Sequence, residues 1–162
     1  MTKRTRAKLK AAQQLPYLSL VREQLKETKT RVRKWVEWNP DSDVYEACFS
    51  SRRVVIPIPT CEWSFLVCLH EIGHISTGER VQSYLSEYNA ERWAIARAKQ
   101  RYSVSCSDYN EDAKMYVHHH LMQNILYHGL DCKSVRPYVL DWLHITSEEL
   151  WESVQLTQGR LR

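Results

Sequence analysis

RVVIPIP at 53–59 runs straight into TCEWSFLVCLHEIGHIST at 60–77, and the handover between these two stretches decides the fold. The first stretch places Val54, Ile56 and Ile58 on one face at period two, which predicts a strand. Pro57 has no N–H to give to a ladder, so that strand is expected at a sheet edge, or free of pairing at that point. The second stretch predicts a helix from about Cys61 to Ser76, with Thr60 as its N-cap and Gly78 near its end.

Working outward toward the N-terminus, RVRKWVEW (31–38) and VYEACFS (44–50) read as two further short strands around the turn NPDSD (39–43). Leu18, Val21 and Leu25 repeat at helical spacing from Pro16 to about Lys29, and Pro16 suits a first helical turn. Residues 1–15 read as a frayed basic helix or a flexible arm. Toward the C-terminus, helices are expected over roughly Val81–Arg101 and Tyr109–Tyr127. Ser107 or Asp108 would cap the second of these, and His128-Gly129 would close it. A short helix is expected over 138–144. Thr146-Ser147-Glu148-Glu149 fits a capping box that opens a last helix reaching about Gln158. The sum is one α+β domain over residues 1–162: a small three-stranded sheet with an edge strand, packed on a mostly helical body.

The bulk numbers set limits. The chain of 162 residues is 43% hydrophobic and 26% charged, which suits a soluble globular protein. Its apolar runs are too short to span a membrane, and the basic start lacks the apolar core of a secretory signal. Five cysteines with no CxxC pair point to reduced thiols and a cytoplasmic setting rather than a disulfide frame. Charge is unevenly spread. Residues 1–34 hold eleven Lys/Arg against two acids, a net of +9, whereas the remainder holds twelve against seventeen, a net of −5. The basic segment could meet nucleic acid or an acidic partner, or simply form a solvated basic surface.

The chemistry lies in HEIGH, residues 70–74. On a helix, residues four apart share a face, so His70 and His74 can offer ring nitrogens to one Zn²⁺. Glu71 sits about 100° around the helix, where it can act as general base on water activated by the metal. Gly73 weakens a helix by about 1 kcal/mol, so close packing by another element is expected there. A third ligand is sought on the next helix. In SEYNAERWA, Glu87, Ala90, Glu91 and Ala94 share a face, and the alanines would admit close approach. Glu87 is assigned to the metal and Glu91 to the second ring N–H of a histidine, with the reverse assignment or two solvated carboxylates as alternatives. Among other residues, one of His118, His119 and His120, or Tyr84 or Tyr88, could stabilise an oxyanion. Surface or packing roles are the expected ones for all five. Cys68 reads as a small buried residue. The six tryptophans read as core or interface anchors.

At these residues the sequence resembles the gluzincin metallopeptidases, in which an HExxH helix is followed by a glutamate ligand on a later helix. LHEIGH followed by EYNAERWA, preceded by the IPIP strand, is similar to the small ImmA/IrrE-type peptidases. The resemblance covers residues 53–98. It departs at Asn89, where the family pattern E-x-E-A has a second glutamate. It implies a cytosolic zinc endopeptidase acting on a specific protein. The strand around Val54, Val55 and Ile56 would then hold substrate in extended form by strand addition. A different class stays open beside it: a non-catalytic regulatory module whose zinc is structural and whose basic residues 1–34 contact nucleic acid or an acidic protein. A metal-dependent hydrolase of a non-peptide bond is a third reading.

Overall fold

The computed structural model describes residues 2–42, 44–78 and 83–160. Two helices lead: α1 (Lys3–Ala12) and α2 (Pro16–Glu27). Three strands follow: β1 (Arg31–Val36), β2 (Glu46–Cys48) and β3 (Arg53–Pro57). Helices α3 (Glu62–Thr77), α4 (Tyr84–Tyr102) and α5 (Ser107–His128) come next, then a 3-10 turn at Cys132–Ser134, and finally α6 (Pro137–Leu143) and α7 (Ser147–Arg160). This is the expected α+β arrangement. The helix start expected near Val81 falls in 79–82, outside the described residues, as does position 43 of the NPDSD turn.

The sheet corrects one expectation. Its order is β1-β3-β2, so β3 is the central strand and not an edge. It runs parallel to β1 and antiparallel to β2. Pro57 is tolerated because it is the last residue of β3. The Ile58 N–H donates to the Val36 carbonyl at 2.8 Å, on the β1 side. Donors alternate sides along a strand, so the missing donor of Pro57 faces the β2 side. There β2 pairs only as far as Val55. Val54 and Val55 are paired on both sides, Ile56 is paired with β1, and all three side chains are buried. The strand-addition role expected of Val54, Val55 and Ile56 is therefore closed at the first two, whose backbone groups are already used.

Helix α3 is the hub. Phe65, Leu66, Leu69, Ile72 and Ile75 are fully or almost fully buried among α2, β3 and α4. A helix apolar nearly all round has to be covered on every side. Its N-cap is Cys61 rather than Thr60. The Ser64 hydroxyl, at the third helical position, reaches back to accept from the Thr60 and Cys61 N–H groups at 2.9 and 3.0 Å, the return half of a capping box. Gly78 ends the helix in the left-handed conformation at φ 78°. Ser83 caps α4 through the Ser86 N–H. Neither Ser107 nor Asp108 caps α5. The chain enters it through Cys106 in the left-handed region, with no side-chain cap. The Thr146–Glu149 capping box forms as expected, with bonds of 2.7 and 3.1 Å.

The basic N-terminal segment is a docked helix. Leu9 and Ala12 pack with Leu18 and Ile58, while Arg4 and Lys8 both meet Glu37 at 2.7 Å. A second cluster, around Tyr84, Val117, Leu121, Val139 and Leu150, joins α4–α7. Trp151 is about half exposed, so it is not a core anchor.

Candidate metal centre

Helices α3 and α4 meet at Gly73. A Cβ built there would stand 2.9 Å from the Ala90 carbonyl oxygen and 3.1 Å from the Ala90 Cα. That contact brings Glu87, one turn before Ala90, over the two histidines one turn apart on α3. His70 Nε2 and His74 Nε2 are 3.0 Å apart, and each lies 3.3 Å from Glu87 Oε2. The triad is buried except for one partly exposed edge at His74.

The triangle can be tested against a metal. Ligands about 2.0–2.1 Å from a tetrahedral ion are separated by about 3.3 Å, close to the observed edges. Glu87 Oε2 is buried without a hydrogen-bond partner. Two ring nitrogens and a carboxylate oxygen crowded at this distance require positive charge between them. Protonation supplies it in the bare chain. Burial opposes charge on both groups, yet Glu91 and Glu87 hold the His70 imidazole well above its usual range. The two histidines likewise hold the Glu87 carboxyl well below its own range. A nitrogen-rich set with one carboxylate suits a divalent transition ion better than Mg²⁺ or Ca²⁺. The residues therefore fit a metal.

An outer carboxylate sets the His70 tautomer. His70 Nδ1 stands 3.0 Å from Glu91 Oε1, off the line of a good hydrogen bond. A carboxylate only accepts, so the proton belongs on Nδ1 and the Nε2 lone pair faces the triad. Glu87 Oε2 thus faces the Nε2 atoms of both histidines, while Glu91 Oε1 faces the far nitrogen of His70. His74 Nδ1 lies 3.0 Å from the Ser86 hydroxyl, a partner the sequence reading missed. Glu71 is buried beside His70 and lines the cleft above it. Burial pushes its carboxyl upward, with the neighbouring imidazoles pulling the other way.

The cleft has a volume of about 720 Å³ and lies between residues 38–45 and α5, with His70 and Glu71 in its floor. Trp38 and Tyr45 stack at 6.0 Å on one wall, and Trp63 meets Tyr109 edge-on. On α5, the Tyr116 ring lies 5.7 Å from His70 and 4.6 Å from His120. His120 therefore approaches the centre, while His119 pairs with Gln123 and His118 is only half buried. The other two oxyanion candidates lie elsewhere. The Tyr84 hydroxyl accepts from the Arg136 N–H, and Tyr88 packs on Tyr138 and Trp142. Tyr109, Ala113, Tyr116 and His120 follow one another at i, i+4, i+7 and i+11, so a search for helical stripes on α5 would have found the missed Tyr109 and Tyr116. Cys68 is buried as expected, its thiol 3.2 Å from the Pro57 carbonyl.

Comparison of the chain with descriptions of known families, with curated proteins and with solved structures finds no match.

Proposed function

We propose that the chain is a zinc-dependent endopeptidase of gluzincin type, with zinc held by His70, His74 and Glu87. The observation that carries this reading is the side-by-side placement of the ligand triad and an unshared buried carboxylate, Glu71, beneath an open cleft. When bound, zinc supplies a Lewis acid that polarises a carbonyl and acidifies water. Glu71 takes a proton from the attacking water and passes it to the leaving amine, a role suited to a carboxyl whose proton affinity is raised by burial. Glu91 holds His70 in the tautomer that leaves its Nε2 lone pair for a metal, and Ser86 holds the orientation of the His74 ring. Tyr116 and His120 of α5 form the cleft wall nearest His70.

A structural zinc would call for a fourth protein ligand. Among the described residues the metal-ligating group is His70, His74 and Glu87 alone, which favours the catalytic alternative. Purified protein should contain about one equivalent of zinc, and His74→Ala should lose it. Glu71→Gln should keep both metal and thermal stability while losing hydrolysis of a casein or peptide-library substrate. Full hydrolysis by Glu71→Gln would remove the mechanism.

A further inference from the structure

The cleft has a charge that the metal does not cancel. Asp41 and Asp112 stand in its lining, on the 38–45 segment and on α5, and both residues are exposed. Neither carboxylate has an ion pair or a side-chain hydrogen bond among the described residues. Among the described residues no Lys or Arg lines the cleft. Five carboxylates, those of Asp41, Glu71, Glu87, Glu91 and Asp112, lie in or under it. With neutral imidazoles and a bound divalent cation, the formal charge is still −3. A cleft of one sign between low-dielectric walls concentrates its field on whatever enters. A phosphodiester or an acidic peptide would be repelled, which also argues against a phosphoryl substrate.

The walls add a second selection. Trp38 and Tyr45 are stacked with an interplanar angle of 16°, and Trp63 keeps about a third of its surface exposed. Part-exposed aromatic faces beside unpaired carboxylates make a receptor for a guanidinium or ammonium group on an apolar stem.

Resting on the hydrolase reading above, we infer that the cleft selects an extended polypeptide by a Lys or Arg side chain near the scissile bond, held between Asp41 and Asp112 against the rings of Trp38, Tyr45 and Trp63. The 38–45 segment and α5 act as the two jaws, and the basic side chain is the specificity element.

The test uses the full-length, zinc-loaded chain and a set of quenched fluorescent peptides of about eight residues. These are identical except for one position, scanned along the peptide, that carries Arg, Lys, norleucine or Glu. At the selective position, kcat/KM should favour Arg over norleucine by about tenfold, the sum of one cation–π contact and one or two partly exposed ion pairs. The Glu peptide should be the poorest. In Asp41→Asn/Asp112→Asn the Arg preference should fall to about two- to fivefold, the share of the cation–π contact, and Asp41→Lys should favour the Glu peptide instead. The same labelled peptides are also titrated by fluorescence anisotropy against Glu71→Gln, so recognition is read even without turnover. Equal binding of Arg, norleucine and Glu peptides, or an Arg preference undiminished by both asparagine changes, overturns the proposal. Charge-selective binding with no cleavage by the unaltered chain would leave the recognition standing and remove the peptidase. Cleavage without charge preference would do the reverse.

Discussion

Gly73 on α3 and Ala90 on α4 touch backbone to backbone: a methyl group added at Gly73 would meet the Ala90 carbonyl oxygen at 2.9 Å. This contact sets the distance between the histidine pair and Glu87, because each of the three residues lies within one helical turn of it.

Gly73→Ala therefore separates two effects of opposite sign. Helix propensity favours alanine by about 1 kcal/mol. Overpacking against main-chain atoms costs about 1–3 kcal/mol, and the Ala90 backbone cannot rotate out of the way. The expected outcome is a net loss of stability with a larger loss of metal affinity, since α4 must retreat and carry Glu87 with it. Urea melts and zinc titration with a chelating indicator would check this. Unchanged zinc affinity in a folded Gly73→Ala protein would contradict it.

Glu91 and Ser86 are expected to act on the metal without touching it. Glu91→Gln keeps shape but lets the amide present either a donor or an acceptor to His70 Nδ1, so the tautomer is no longer fixed. Loss of such a partner weakens metal binding by about 10–100-fold. Ser86→Ala should act through His74 and more weakly, since a neutral hydroxyl is replaced. Competition with a chelator of known affinity gives both numbers. Equal affinities in all three proteins would show that neither partner matters.

The HEIGH helix, the glutamate face of α4 and the need for a close contact at Gly73 could all be read in the sequence, because each depends on positions along one helix. The central place of β3 could not. Pro57 excludes pairing only on the side its nitrogen faces, and that side depends on where β2 stops. The tyrosines of α5 were missed because that helix meets the centre only through tertiary packing. Asp112 is read the same way, since its opposing wall is some seventy residues away in the chain.

Cys48 should be the most reactive of the five thiols. Hydrogen bonds from the Ser50 and Ser51 side of the turn lower its pKa from 9.0 to about 7. Burial instead raises the pKa of Cys68, Cys106 and Cys132. At pH 7 about half of Cys48 is thiolate, and at pH 6 about fivefold less. Iodoacetamide labelling followed by peptide mapping should find Cys48 alkylated first, with a rate that falls by that factor. Ser50→Ala should slow it at pH 7. First labelling at Cys68 would contradict the assignment.

Glu37 holds α1 by its pairs with Arg4 and Lys8. The hydrogen bond from Lys8 and the charges of both cations lower its pKa. A carboxyl depressed in the folded state stabilises it above the unfolded pKa, and that contribution is lost as pH falls through the folded value. The pairs are exposed, so salt should weaken them too. Hydrogen exchange over Lys3–Ala12 should quicken in Glu37→Gln, and in the unaltered chain at acid pH or high salt. Unchanged exchange in Glu37→Gln would assign the docking of α1 to Leu9 and Ala12 alone.

Among the described residues, placing β3 in the middle leaves β1 with an open flank, where Arg31 and Lys34 are exposed while Arg33 pairs with Glu46. Like charges stacked every few ångströms repel a second copy laid alongside, so concentrated protein should resist growth into fibrils by way of this strand.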